Sequence, residues 1–187
     1  MRAFIAIELS EEIRSSLSQI QSHLKYSGAD VKWVEKDNIH LTLKFLGEIT
    51  EEKCEKIKSI LDEIGRSLRP FEINIKNIGA FPKIDHPRVI WVGLDKGAKE
   101  SVEVAGKIDE ELYKIGFEKE SRPFTAHLTI GRVRSSKNKD ALKQKLTAYS
   151  LQLTAETQLI SSVIFFQSKL SPKGSIYTKL YEAKFQR

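Results

Sequence analysis

Hydrophobic and polar residues alternate with a period of two in many short runs, which predicts a protein rich in half-buried β-strands. Turn-forming residues separate these runs, and Pro172-Lys173-Gly174 has the composition of a hairpin turn. The predicted strands are Arg2 to Leu9, Val31 to Val34, His40 to Leu46, Phe71 to Ile78, Arg88 to Leu94, Phe124 to Arg132, Leu151 to Thr157, Ser162 to Leu170 and Ser175 to Phe185.

Four other segments place apolar residues three or four positions apart, as on one face of an α-helix. Ser10 and Thr50 precede the first two segments as N-caps, with acidic residues in the following turn, and Gly116 is placed to end the third. A short lysine-rich helix is predicted from about Lys139 to Leu146. The apolar stripes of the first three helices are Ile13, Leu17, Ile20 and Leu24; Cys54, Ile57, Leu61 and Ile64; and Val102, Ala105, Ile108, Leu112 and Ile115.

The order of these elements predicts a duplicated architecture. A strand–helix–strand–strand–helix series is followed by a looser second version of itself, and the chain of 187 residues is long enough for a substantial core. We therefore expect an α+β fold, with residues 1–187 as a single bilobal domain. Each of two related lobes is an antiparallel sheet backed by helices, and a cleft lies between them.

The tripeptide His-Leu-Thr occurs once in each half, at His40-Leu41-Thr42 and at His127-Leu128-Thr129. Both copies lie in predicted strands, where side chains two positions apart share a face. Each copy therefore presents an imidazole and a hydroxyl to one side, and turns its leucine toward the core. The pattern predicts one site built from two similar halves.

Two cations lie close to these motifs. Simple alternation puts Lys44 on the same face as His40 and Thr42. The same rule turns Arg132 away from His127, unless Gly131 permits a β-bulge or strand end that redirects it. For the nearby aromatic residues Phe45, Trp33 and Phe124, core packing is the expected role, with base stacking as the alternative.

The residues around the motifs favour acid–base chemistry over other mechanisms. Neither copy has a Cys, Asp or Glu at the spacing of zinc ligands, and the single cysteine, Cys54, cannot complete a set. The chain also has no Gly-x-Ser-x-Gly elbow and no phosphate-binding glycine loop. Two imidazoles remain, one able to act as a base while the other acts as an acid. We expect no metal and no cofactor, and surface positions for His23 and His86.

The composition of the chain indicates a class of binding partner and a cellular compartment. The net charge of +6 and the pI of about 9.3 favour a polyanion such as nucleic acid, although lysine-rich surfaces also serve solubility alone. No stretch is long and apolar enough to cross a bilayer, and Arg2 to Glu8 resembles a strand more than a signal peptide. With one cysteine, a cytoplasmic location is expected, and nothing requires more than a monomer.

Together with their flanking residues, the motifs resemble those of the 2H phosphoesterase superfamily, close to the RNA 2′,3′-cyclic phosphodiesterases formerly called 2′-5′ RNA ligases. That family is defined by two His-x-Thr-x motifs. The resemblance extends at least from residue 2 to residue 134. The matching flanks are Arg2 to Ile7, Trp33-Val34-Glu35, Lys44-Phe45-Leu46-Gly47-Glu48, Pro123-Phe124 and Arg132.

The resemblance implies the metal-independent opening of 2′,3′-cyclic phosphates, on RNA ends or small nucleotides, to 2′-phosphates. It implies that His40 is the proton donor and His127 the proton acceptor. Thr42 and Thr129 would bind the phosphate oxygens, with Arg132 and Lys44 as further substrate-binding candidates. Run in reverse with a 5′-hydroxyl, the same site would join RNA ends through a 2′-5′ bond. The alternative is a non-catalytic protein that binds RNA ends in the same cleft.

Overall fold

The computed structural model describes residues 1–149, 156–172 and 174–186. Within these ranges the helices are α1 (Glu11–Lys25), α2 (Glu51–Ser67), α3 (Ala98–Tyr113) and α4 (Lys139–Tyr149). The strands are β1 (Arg2–Glu8), β2 (Val31–Trp33), β3 (His40–Glu48), β4 (Phe71–Lys83), β5 (His86–Leu94), β6 (His127–Val133), β7 (Thr157–Ile160), β8 (Ser162–Ser171) and β9 (Gly174–Lys184).

The strands form two antiparallel sheets, which confirms the predicted two-lobed α+β fold. The first lobe has the strand order β3-β1-β8-β9 and is backed by α2 and α3. The second lobe has the order β2-β6-β5-β4-β7 and is backed by α1 and α4. The two sheets meet where β3 contacts β6. Each lobe takes strands from both halves of the chain, a feature that the order of elements did not indicate.

One apolar core joins the two lobes. A single cluster contains Ile5 and Leu41 from the first sheet and Ile90 and Leu128 from the second, each fully buried. The apolar stripe of each helix also enters this cluster. Burial of this much apolar surface is the main favourable term in folding, and here it fixes the two sheets against each other.

Helices α1 and α2 begin directly after their predicted N-caps. The Ser10 hydroxyl accepts a hydrogen bond from the amide of Ile13, and the Thr50 hydroxyl accepts one from the amide of Lys53. The predicted stripe of α3 differs from the structure at two positions: Val102 is 44% exposed, and Ile115 packs against the core from beyond the end of the helix at Tyr113. None of the described helices combines the length and the hydropathy needed to span a membrane.

Several predicted boundaries change, including the start of β6, which begins at His127 and not at Phe124. Strands β4 and β5 are longer than predicted, so His86 opens β5 beside the connecting turn. Most of the predicted strand Leu151 to Thr157 lies outside the described residues, and β7 begins at its last residue. The predicted hairpin joins β8 to β9, which pair as far as Ser171 and Gly174. Lys173 in that turn also lies outside the described residues.

Candidate active site

Each His-Leu-Thr tripeptide forms the first three residues of a strand, β3 in one lobe and β6 in the other. In both copies the histidine and the threonine are half-buried, and the leucine between them is fully buried. This is the predicted alternation, with the leucine in the core and the two polar side chains on the opposite face.

A β-bulge follows the first motif and reverses the alternation beyond it. Thr42 pairs with Ala6 and Lys44 pairs with the next residue, Ile5, so Leu43 is an extra residue in β3. Lys44 consequently turns to the core side, where it is 3% exposed. The expectation that Lys44 shares a face with His40 was wrong, because simple alternation does not hold across a bulge.

The buried Lys44 ammonium is neutralised within the fold. It donates hydrogen bonds to the carboxylate of Asp109 at 2.5 Å and to the backbone carbonyl of Glu118 at 2.9 Å. The carboxylate of Glu120 lies 3.6 Å away. Lys44 therefore ties β3 to α3 and to the segment that follows it, instead of facing the motif histidine.

An equivalent bulge follows the second motif. Thr129 pairs with Trp91 and Gly131 pairs with the next residue, Ile90, so Ile130 is the extra residue in β6. Arg132 then pairs with Val89, which lies two positions from Trp91 and on the same face of β5. The bulge required to turn Arg132 toward the face of His127 and Thr129 is present.

The matched bulges place Phe45 and Arg132 at equivalent positions, each five residues after a motif histidine. Phe45 pairs with Phe4 on the face that carries His40 and is 66% exposed, so the expectation of core packing was wrong for it. Trp33 and Phe124 do pack against the core cluster, as predicted.

The two motif strands lie next to each other. The leucines of the two motifs enter one core cluster, and β3 and β6 are in contact. We call the face of each sheet opposite these leucines the motif face; it carries His40 and Thr42 in the first lobe and His127 and Thr129 in the second. The contact between β3 and β6 places the two halves of the predicted site on neighbouring strands.

The two imidazoles are oriented in the same way. His40 Nδ1 lies 2.8 Å from the carbonyl oxygen of Asn38, and His127 Nδ1 lies 2.6 Å from that of Thr125. Because a carbonyl oxygen only accepts hydrogen bonds, Nδ1 carries the proton in both rings. Nε2 is then the atom left to exchange protons with a ligand. The sequence motif did not reveal these partners, because they are backbone carbonyls.

Aromatic rings surround His40. Phe4 stacks on its imidazole with ring centroids 4.7 Å apart, and Tyr177 approaches edge-on at 5.2 Å. Burial lowers the pKa of His40 from 6.5 to about 4, opposed by the hydrogen bond to the Asn38 carbonyl and assisted by the charge of Arg14. In the ligand-free protein His40 is therefore neutral at pH 7.

A pocket of about 470 Å³ opens beside His40. Glu8 lies in its wall and forms ion pairs with Arg14 and Lys179. The wall also includes Tyr177 and the residues around Asn38 that orient the imidazole. The position directly next to the first motif therefore has room for a ligand, and cationic side chains border it.

His127 has its own aromatic neighbours. The ring of Phe81 meets its imidazole edge-on at 5.0 Å, and Phe81 in turn contacts Trp91 at 5.3 Å. The indole of Trp91 lies across Gly79, where an added Cβ would come within 2.4 Å of the ring. The motif pattern did not point to Phe81 or Trp91, because their proximity depends on the register of β4, β5 and β6.

The other candidate groups lie elsewhere. His23 and His86 are exposed, as predicted, and contact Tyr149 and Lys139 respectively. Cys54 is a buried free cysteine in α2. In the part of the chain that the structure describes, no three side chains of His, Cys, Asp or Glu are grouped so as to hold a metal ion.

Comparison with known proteins gives the same picture of a duplicated chain. A family model described as LigT-like phosphoesterase matches residues 7–91 and again residues 92–177, so each match contains one His-Leu-Thr motif. The RNA 2′,3′-cyclic phosphodiesterase of Methanocaldococcus jannaschii is 40% identical over 182 residues, which are 97% of this chain and 99% of that protein. The protein of the same name from Methanothermobacter thermautotrophicus is 37% identical over 180 residues, 96% of each chain.

A solved structure shares the fold. The crystal structure of the protein TT0787 of Thermus thermophilus has a TM-score of 0.82 to this chain at 24% identity. The match covers 99% of this chain and 98% of that one. The two-lobed architecture is thus common to both proteins over essentially their whole length.

Proposed function

We propose, from the premise that the chain belongs to the LigT-like phosphoesterase family, that it hydrolyses 2′,3′-cyclic phosphates on RNA ends or nucleotides to 2′-phosphates. The observation that carries this proposal is the pair of equivalent motifs on two contacting strands, each with Nδ1 held by a carbonyl and Nε2 free. Relatives with the matching name, at 37% and 40% identity over nearly the whole chain, support the substrate class.

The proposed reaction is an in-line displacement at phosphorus. His127 Nε2 accepts a proton from water as the water oxygen bonds to phosphorus, and the bond from phosphorus to the 3′ oxygen breaks. His40 Nε2 gives its proton to that departing oxygen. The hydroxyls of Thr42 and Thr129 donate hydrogen bonds to the non-bridging oxygens, where negative charge accumulates. These steps need no metal or cofactor.

The proton-donor role of His40 requires a protonated imidazole, yet its pKa in the ligand-free protein is about 4. A bound phosphodiester supplies a negative charge beside the ring, and this favours the imidazolium. The hydrogen bond to the Asn38 carbonyl also favours the charged form. In this mechanism His40 takes up its proton when the substrate binds.

Arg132 is the further substrate-binding residue in the proposal. Its exposed side chain projects from the motif face next to Thr129. The guanidinium has a permanent charge and paired N–H donors suited to phosphate. Lys44 is omitted from the site, because its ammonium is buried and paired with Asp109.

The proposed working unit is one chain, residues 1–187, acting as a monomer and as a single bilobal domain. Both motif strands come from the same chain and join one core, which supports this unit. We also propose a cytoplasmic location, supported by the lone cysteine, which is buried and free.

The first test is the hydrolysis of an oligonucleotide with a 2′,3′-cyclic end in the presence of EDTA. We expect a 2′-phosphate product, and a loss of about 10²- to 10⁴-fold in kcat for each of the variants His40→Ala and His127→Ala. His23→Ala is the matched control, because it removes an exposed histidine on α1. Activity that chelation abolishes and zinc restores would contradict the proposal.

The same assay separates the competing activities. Tight binding of RNA with a 2′-phosphate end, without turnover of any cyclic phosphate, would identify the non-catalytic RNA-end binder. Product analysis with an excess of 5′-hydroxyl RNA measures the reverse reaction. We expect hydrolysis to dominate there, because water competes with the RNA hydroxyl at its far higher concentration unless two ends are held together.

A further inference from the structure

Lys32, outside both motifs, lies directly opposite Arg132. The register of β2 and β6 pairs these two residues, and both side chains are exposed. Cross-strand partners project from the same face of a sheet, with Cβ atoms about 5 Å apart. Because the bulge in β6 turns Arg132 onto the motif face, Lys32 lies on that face as well.

The Lys32–Arg132 pair carries two positive charges without neutralisation. Neither side chain has a carboxylate within 4.0 Å anywhere in the described ranges, whereas Lys36, Lys56 and Lys76 each form an ion pair. Like charges directly opposite each other on a sheet repel. A bound anion would remove that repulsion, so the placement fits a site for a negatively charged group.

The pair lies one step along the motif face from the second motif. On the partner strand β5, Gly93 pairs with His127, Trp91 with Thr129 and Val89 with Arg132. These partners are two residues apart, so each step is about 7 Å. An anion held at the Lys32–Arg132 pair would therefore be separated from a phosphate at His127 and Thr129 by a distance that one extended nucleotide can span.

We propose that Lys32 and Arg132 form a subsite for the phosphodiester that precedes the terminal nucleotide of an RNA strand. A 2′,3′-cyclic end has only one neighbouring phosphate, the one on the 5′ oxygen of the same nucleoside. The preferred substrate class is then the end of an oligonucleotide, in which that phosphate is a charged diester. This inference rests on the proposed function, since it assumes a cyclic phosphate at the two motifs.

The test compares two dinucleotides with 2′,3′-cyclic ends. One has the natural phosphodiester linkage and the other an uncharged methylphosphonate in its place. We expect the wild-type protein to show a higher kcat/KM for the charged linkage, and Lys32→Gln to lower the ratio of the two values about 5- to 10-fold. For the natural dinucleotide, log kcat/KM decreases with log salt concentration, and we expect this negative slope to become shallower by about 0.7 in Lys32→Gln.

Lys99→Gln is the matched control, because Lys99 is exposed on the first turn of α3 and its loss changes the net charge equally. We expect this variant to keep the wild-type ratio. Equal rates for the two linkages in the wild type, or the same ratio in Lys32→Gln as in the wild type, would overturn the inference and leave the cyclic phosphodiesterase activity intact.

A second readout keeps the two proposals separable. If neither dinucleotide is opened, the proposed function fails. The subsite is then tested by the affinities of the same two dinucleotides carrying 2′-phosphate ends, measured by calorimetry. A preference for the charged linkage that Lys32→Gln removes would support the subsite, and equal affinities would overturn it.

Discussion

At the scale of single residues, the clearest feature is that an imidazole is kept neutral by its surroundings. Burial of His40 against Phe4 and Tyr177 lowers its pKa to about 4, although the hydrogen bond to the Asn38 carbonyl acts in the opposite direction. The repeated tripeptide marks His40 as a candidate site residue. Its neutral state could not be predicted from the sequence, because Phe4 and Tyr177 reach it through sheet pairing and not through proximity in sequence.

This lowered pKa makes stability depend on pH. Between about pH 4 and 6.5 the unfolded chain binds a proton at His40 that the folded chain does not, so this contribution is complete above pH 6.5 and lost as the pH falls through 4. The contribution is up to about 3 kcal/mol. We expect the stability advantage of the wild type over His40→Gln to shrink by about 2–3 kcal/mol between pH 7.5 and 4.5.

Urea unfolding at the two pH values measures this difference. Acid-sensitive pairs such as Lys44–Asp109 are present in both proteins and cancel in the comparison. A His23→Gln control should keep the wild-type dependence on pH, since its ring is exposed. Parallel pH profiles for the wild type and His40→Gln would show that burial does not hold this ring neutral.

At the scale of elements, the site depends on two β-bulges at equivalent positions. Helix caps, apolar stripes and strand periods were readable from the sequence, because each depends on neighbouring residues. The bulges were not, since they depend on how one strand registers against another. Gly131 was a local hint for one of them, and nothing comparable marks Leu43. Lys44 was therefore assigned to the wrong face, while Arg132 could be left only as a question.

The bulge in β3 gives Lys44 a structural role that can be measured. Burial acts to raise the pKa of Asp109, but the hydrogen bonds from Lys44 and the Glu120 amide, together with the charges of Lys44 and Lys119, lower that pKa overall. We expect Lys44→Met to cost about 2–4 kcal/mol in the free energy of unfolding, because Asp109 loses its buried partner. The activity per folded molecule should be retained, since Lys44 faces away from the motifs.

A double-mutant cycle with Asp109→Asn tests the assignment. The two substitutions should be strongly non-additive in urea unfolding, because they remove the same interaction. Lys56→Met is the control, as its pair with Glu52 on α2 is exposed. If Lys44→Met unfolds like the wild type but has a much lower kcat/KM, the structural assignment is wrong and Lys44 belongs to the candidate site.

At the scale of the whole molecule, one buried side chain links α1 to the second motif strand. Gln21 donates hydrogen bonds to the carbonyls of Val34 and Ile130, each at 2.8 Å, and Ile130 is the extra residue of the β6 bulge. We expect Gln21→Leu to lower the free energy of unfolding by about 1–3 kcal/mol, because it removes the side-chain donor to the Val34 carbonyl and one of the two donors to the buried Ile130 carbonyl.

The same substitution should also reduce kcat/KM, since the bulge that directs Arg132 loses its support. Urea unfolding and steady-state kinetics check the two effects. Gln19→Leu on the exposed side of the same helix should produce neither. Wild-type stability in Gln21→Leu would show that the two carbonyls do not depend on this residue.

The exchange of strands between the halves of the chain limits how the protein can move and fold. In the order of the described strands, the polypeptide passes from one sheet to the other between β1 and β2, β2 and β3, β3 and β4, and β7 and β8. A hinge needs few connections, and here four would have to deform together. We therefore expect the two sheets, and with them His40 and His127, to keep their relative positions. Neither half of the chain can complete a sheet unless the other half is present.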